Sequence, residues 1–555
     1  MNNPMNVYKT GPANVIFADF PDVDVIRVDD TYYMVSTTMH FMPGCVILRS
    51  YNLLDWEICS YVFDELEKTD GQTLCDNKGI YGQGMWAASL RFHDGKFYVC
   101  FVANDTHKTY LFTSEKIEGP WKKSEIQGFY HDMSLLFDDD GRVFTVSGNT
   151  EIRLIQMKSD LSGPLEGGIN KVIIKDDKEN VNLGYEGSHF YKINGKYYIF
   201  LIHLPKGKMR TEACFVSDMV DGEYKGGDVL CADFANWNSG LAQGGIVQSN
   251  DGKFYAMLFQ DHGALGRIPF LMEIKMPSEK LPGWAINQTP GGGKSAGEVA
   301  KITPTGKNPE LPIFPQTVPA EVTVLDNRPG YNYQPLFSDS FCDENGKLNS
   351  CWQWNHIPEK SLIKLSKSEY RLKTGKIVVN PVQAANTLTQ RIFTEHCTCT
   401  ATVDASKINE GDFAGLCALE GEYGFIALTK KDGKFKIVVA EHKIPYSPWT
   451  MKGSDSSEPN FIAEIPCENP KMTFTLDFNL EKDRQEVTFY YAEAGNGDCA
   501  CDGDEESLAG RKIAGRPVKL RYTLDQFVGV RAGLFLYSTE EVGGEAEVSG
   551  FQIIV

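Results

Sequence analysis

Three carboxylates far apart in the chain, Asp22, Asp132 and Glu186, are the residues whose types could do chemistry together. Cleaving a glycosidic bond with inversion takes two carboxyl groups about 6.5–9.5 Å apart, one donating a proton and the other activating a water. The base must be ionised near neutral pH. The acid must be protonated there, which requires burial or a nearby negative charge. A third carboxylate beside the acid supplies that charge and orients it. Glutamate has the longer reach and suits the proton donor, Glu186. Asp22 then acts as base and Asp132 as modulator of the acid, and spacing alone leaves those two interchangeable. Taken singly, each acid reads better as a solvated residue at a strand end.

A repeat is what brings them together. Five segments run through a polar turn into aromatic or apolar residues: VDDTYYMV, HDGKFYVC, DDGRVFTV, INGKYYIF and NDGKFYAM. Aligned on Asp30, Gly95, Gly141, Gly195 and Gly252, they have a period of roughly fifty residues with several strands per unit, which reads as a propeller of five blades. Nine residues before the last four anchors stand Trp86, Asp132, Glu186 and Gln243, and eight before the first stands Asp22. The first strand of each blade lines the axis, so these side chains should converge on one mouth. Side chains alternate along a strand, so Asp22 and Asp24 cannot both face the axis on a regular strand. Asp22 is chosen because the apolar strand follows it. Trp86 is expected as a sugar-stacking platform, and His262 and Arg267, on a Gly-rich loop, as ligand contacts. The acidic run 138–140 reads as a solvated turn, since no calcium-loop ligands follow it.

The chain of 555 residues is too long for one core. Residues 1–282 hold the hairpin units. Residues 283–334 are rich in Pro, Gly, Lys and Thr and read as a linker or strap. Residues 335–555 return to short alternating strands, as in a β-sandwich. The acidic loop 495–507 is expected to be mobile. A net charge of −19 argues against nucleic-acid or anionic-membrane partners and fits a neutral sugar. The 14 cysteines read as small buried hydrophobes in a reducing compartment. The close pairs Cys397/Cys399 and Cys499/Cys501 lack zinc spacing, so no metal site is expected. The N-terminal stretch has no leader pattern. It reads as cytoplasmic as written, and as periplasmic or secreted if a leader was removed.

FPDVDVIRVDDTYYMV, HDMSLLFDDDGRVF and GYEGSHFYKINGKYYIF resemble the signature stretches of glycoside hydrolase family 43, a family of five-bladed β-propellers that are inverting β-xylosidases, α-L-arabinofuranosidases and arabinanases. The resemblance implies Asp22 as general base, Asp132 as pKa modulator and Glu186 as general acid. GMWAASLRF carries Trp86, MHFMPG resembles a subsite wall and points to Phe41, and LGRIP points to Arg267 as a substrate contact. CWQWNH, NTLTQR, GDFAGL and YGF resemble the β-sandwich of the two-domain xylosidases, which closes the active-site mouth, with Phe527 as its candidate aromatic. Two departures stand out. PDV replaces the frequent PDP at the base, and Gln243 stands where many members have a histidine that binds a central metal or water. No cofactor is required on this reading, although a central calcium is compatible with it.

The expected fold is all-β, a five-bladed β-propeller followed by a β-sandwich. The expected function is exo-acting, inverting hydrolysis of xylo- or arabino-oligosaccharides, β-xylosidase first and α-L-arabinofuranosidase second, with a homo-oligomer compatible. A retaining fructan-type propeller hydrolase would carry Asn-Asp-Pro-Asn and Arg-Asp-Pro motifs, which this chain lacks. A non-catalytic carbohydrate-binding propeller would have no reason to gather three acids at one mouth.

Overall fold

A computed structural model describes residues 6–277, 310–443, 457–494, 508, 510–521 and 528–555, and these are all-β apart from short 3-10 turns. Each of the first four blades is a four-stranded antiparallel meander, starting with Asp24–Val28, Met85–His93, Ser134–Phe137 and Val181–Ile193. The fifth has three strands, Ile246–Gln248, Phe254–Asp261 and Arg267–Ile274. The turn residues explain the hairpins. Asp94–Gly95 and Asn194–Gly195 both adopt positive φ, as a two-residue type I′ turn requires. The ring closes where Arg27 of the first blade donates to the Gln248 carbonyl of the fifth at 2.7 Å. Outside it, Tyr8–Pro12 pairs with Glu321–Leu325, so part of the expected 283–334 strap is a strand; residues 283–309 lie outside the described set.

One backbone feature recurs five times. Asp22, Ala87, Asp132, Gly187 and Gln243 have φ of 52, 37, 48, 63 and 57°. Each lies six residues before the one that closes its first hairpin, namely Val28, His93, Asp138, Ile193 and Ser249. Left-handed backbone is costly for residues with a Cβ and gathers at functional sites. This is the true repeat position, and it amends the sequence register. Trp86 and Glu186 stand one residue before it, with Ala87 and Gly187 on it. Blades three and five use longer turns, 139–141 and 250–252, and counting from the turn glycine absorbs the difference wrongly. The acidic turn is also amended. Asp138 is buried, not solvated, and accepts from Lys192 at 2.5 Å and from the Tyr197 hydroxyl at 2.7 Å.

The second unit is a β-sandwich of a seven-stranded sheet, running from Gln353–Trp354 to Asn460–Cys467, and a larger sheet centred on His396–Lys407 and Glu545–Ile554. The period-two burial of His396–Lys407 packs its alternate face into the core. The sandwich meets the propeller through backbone. Met42 and Trp354 exchange N–H···O bonds of 3.0 and 2.6 Å, and Val530 N–H reaches the Ala264 carbonyl at 2.7 Å. Gly529 N–H reaches Asp19 Oδ2 at 3.1 Å.

Candidate active site

The five left-handed residues together line a small, narrow pocket on the propeller axis. Their backbone is bent out of strand alternation, so in the first blade Asp22 and Asp24 both line the cavity, contrary to the alternation argument. They are held differently. Asp22 Oδ1 accepts from Arg267 Nη1 at 2.7 Å. Burial pushes the Asp22 carboxyl above the ordinary carboxylate range, against the pull of Arg267 and of a Thr37 hydrogen bond. Asp24 is fully buried between Arg91 Nη1 at 2.6 Å, His189 Nδ1 at 3.2 Å and the Leu90 N–H at 2.8 Å. Burial alone would raise its pKa, but these partners outweigh it and bring it down to about 2.

The second group is built from Glu186, His131 and Asp132. Glu186 Oε2 lies 3.2 Å from His131 Nε2 and also accepts from Asn149 Nδ2. His131 Nε2 is 3.7 Å from Asp132 Oδ2. Burial, then the charges of Glu186 and Asp22, push Asp132 up to about 7 against the opposing pull of His131. Burial would depress His131, but Asp132, Glu186 and Asp22 together raise it to about 9, so it is a cation at neutral pH. His131, Asp132 and Glu186 offer atoms within 4.8 Å of one another, and Asp22 falls outside that group. The site therefore has two charge-compensated halves: a carboxylate paired with arginine, and two carboxyls sharing one imidazolium.

Residues 12–280 match glycosyl hydrolases family 43, and residues 338–553 match the beta xylosidase C-terminal Concanavalin A-like domain. The chain belongs to glycosyl hydrolases family 43. It is a glycoside hydrolase of the two-domain type. A beta-xylosidase of Formosa agariphila is 26% identical over 471 residues, 75% of this chain and 74% of that protein. A non-reducing end alpha-L-arabinofuranosidase of Bacteroides ovatus is 26% identical over 51% of this chain and 55% of its own. The solved structure of a bifunctional GH43-CE protein of Bacteroides eggerthii is 34% identical, with a TM-score of 0.80. The match covers 99% of this chain and 64% of that one.

The remaining expected residues of this family 43 enzyme fall into two sets. Trp86 is half-buried at the mouth, its indole N–H donating to the Gly82 carbonyl at 3.2 Å and its ring 6.4 Å from that of His131. Gln243 is on the axis, its backbone N–H bound to Glu212 at 2.8 Å. Phe41 is only 1% exposed, with the Arg531 guanidinium of the sandwich 3.5 Å from its ring centroid, so it belongs to the domain interface and not to an open wall. His262 is equally buried, stacked on Trp237 at 4.7 Å with Phe17 at its edge, and burial brings its pKa to about 3. It is a neutral packing residue. Phe527 and the loop 495–507 lie outside the described residues. Sequence reasoning missed His131 and Asn149. A histidine abutting a candidate acid was the available signal for the first; nothing in the sequence marked the second. Calcium takes six to eight oxygen ligands. The cluster of His131, Asp132 and Glu186 includes an imidazole nitrogen, and Asp22 and Asp24 already carry Arg267 and Arg91, so the groups present make a poor calcium cage. Among the described residues no helix is long and apolar enough to cross a membrane.

Proposed function

We propose that this glycoside hydrolase is exo-acting and inverting and removes pentose units from xylo- or arabino-oligosaccharides, β-xylosidase first, with α-L-arabinofuranosidase the alternative. The separation of the three acids into two halves carries the reading. Asp22, set apart beside Arg267, is the base. Its carboxylate takes a proton from the water that attacks the anomeric carbon on the face opposite the leaving group. Glu186 gives its proton to the departing glycosidic oxygen. Asp132, next to Glu186, is the modulator whose charge opposes ionisation of the acid. The isolation of Asp22 from the His131 cluster supports this order of the two aspartates over the reverse. Trp86 offers an indole face to the sugar. The exo reading is supported by the sandwich: its Gly529 and Val530 bond to Asp19 and Ala264, close in sequence to Asp22 and Arg267, where a second domain would stand in the way of a through-going groove. Preference for β-xylosides rests on the names of the relatives, among which beta-xylosidase recurs.

The test is Glu186→Ala on two substrate types. Cleavage of xylobiose should be abolished, whereas activated aryl pentosides, which need little protonation, should be spared more. Full activity on xylobiose would remove Glu186 from the mechanism. Proton NMR of the first-formed anomer reads inversion directly. Turnover of p-nitrophenyl β-D-xyloside against α-L-arabinofuranoside decides between the two activities.

A further inference from the structure

We infer that His131 is a positioning residue for the general acid, fixing which oxygen of Glu186 carries the transferable proton. The inference rests on Glu186 being the acid. Glu186 Oε2 faces two donors, Asn149 Nδ2 and, at 3.2 Å, His131 Nε2. The Asn149 amide is oriented independently, because its Oδ1 accepts from the Thr150 hydroxyl at 2.8 Å, which turns Nδ2 toward Glu186. Among the described residues His131 Nε2 has only carboxylate oxygens before it, Glu186 at 3.2 Å and Asp132 at 3.7 Å, so this nitrogen carries a hydrogen. An oxygen receiving two N–H donors has no place for a proton of its own. The acid proton is therefore confined to Oε1, the other oxygen, and is delivered from there. After transfer, the carboxylate left on Glu186 is met at Oε2 by hydrogen bonds already in place, so no reorganisation accompanies the step.

The charged groups that face His131 are Asp132, Glu186 and Asp22, from three different blades, and the Trp86 ring stands beside it. All three facing groups are acidic, which keeps the imidazole protonated through neutral pH. Removing the cation should make Glu186 harder to ionise and a weaker acid.

His131→Phe and His131→Gln separate this role from packing. In His131→Phe, kcat/KM for xylobiose should fall at least tenfold. The fall on p-nitrophenyl β-D-xyloside should be severalfold smaller, and the alkaline limb of the pH profile should move up. His131→Gln, which keeps an N–H donor, should recover part of the xylobiose loss. Parallel losses on both substrates with an unmoved alkaline limb, or a His131→Phe enzyme as active as wild type, would overturn the inference. Glu186→Gln run alongside tells the two readings apart. If it shows no leaving-group-dependent loss, the assignment of the acid has failed. If it shows that loss and His131→Phe does not, only the role of His131 has failed.

Discussion

Arg267 offers the sharpest test of the base. Its Nη1 stands 2.7 Å from Asp22 Oδ1, and both side chains are under a tenth exposed. At an effective dielectric of about 20, two unit charges at that distance attract by about 6 kcal/mol. That is a ceiling. In Arg267→Met, water entering the vacated space, together with the Thr37 hydrogen bond, replaces much of the attraction. At about 1.4 kcal/mol per pKa unit, losing a quarter to a half of it raises Asp22 by about one to two units. A base works only when ionised, so the acid limb of kcat/KM should move to higher pH by that amount. Below the limb, activity should fall about tenfold for every pH unit it has moved. The assay is kcat/KM for p-nitrophenyl β-D-xyloside from about pH 4 to about pH 9, with Arg267→Lys as the charge-retaining control. Stability gives an independent sign. A carboxyl whose folded pKa is raised above 3.8 binds more protons folded than unfolded, so this contribution is present below 3.8 and lost as pH rises through the folded value. The melting temperature of Arg267→Met should therefore decline over a wider pH span than that of the wild type. A folded Arg267→Met enzyme whose acid limb stays where the wild type has it would refute the pairing of Arg267 with the base.

Three further outcomes follow from other parts of the site. Asp132→Asn removes a negative charge beside Glu186, so the alkaline limb should move down while kcat falls about a hundredfold, measured on xylobiose. Gly187→Ala should lower the melting temperature, since a Cβ there lies 2.7 Å from Gln243 Cδ at φ 63° and left-handed strain alone costs about 1–3 kcal/mol. Asp24→Asn breaks a buried ion pair and should destabilise by about 3–5 kcal/mol near neutral pH. Because the Asp24 pKa is lowered to about 2, its contribution is present above 3.8 and fades as pH falls through 2. The gap in melting temperature between mutant and wild type should therefore narrow in acid.

The five hairpins were legible because turn chemistry is local. Asp94–Gly95 and Asn194–Gly195 state their turn type in two letters, and the strands after them are aromatic and β-branched. The acids were legible through that repeat, although the register slipped by one at Trp86 and Glu186, because turn length differs between blades and a glycine anchor does not record it. The same locality explains the misreading of Asp24. Alternation holds within a strand, and Asp22 lies just outside one, in left-handed backbone. Phe41 and His262 could not be placed from sequence, because what covers them comes from elsewhere in the chain: Arg531 from the sandwich, and Trp237 from the stretch ahead of the fifth blade.

The different roles proposed for these carboxyls follow from what faces each of them. Around a single axis, Asp22, Asp24, Asp132 and Glu186 would all repel one another, and burial would drive each toward protonation. Their partners break the symmetry. Asp24 has a guanidinium, an imidazole and a backbone N–H, and is held ionised as a structural anchor for the blade contacts. Asp22 has a single guanidinium against full burial, which leaves it poised as a carboxylate that still has reason to take a proton from water. Asp132 and Glu186 share one imidazolium between them, one positive charge for two acids, and burial with the neighbouring charges of Glu186 and Asp22 pushes Asp132 up to about 7. On the proposed assignment, acid and base chemistry at one pH arises from unequal sharing of Arg91, Arg267 and His131. Changing the cations, with the carboxyls left alone, should move the two limbs of the pH profile independently of each other.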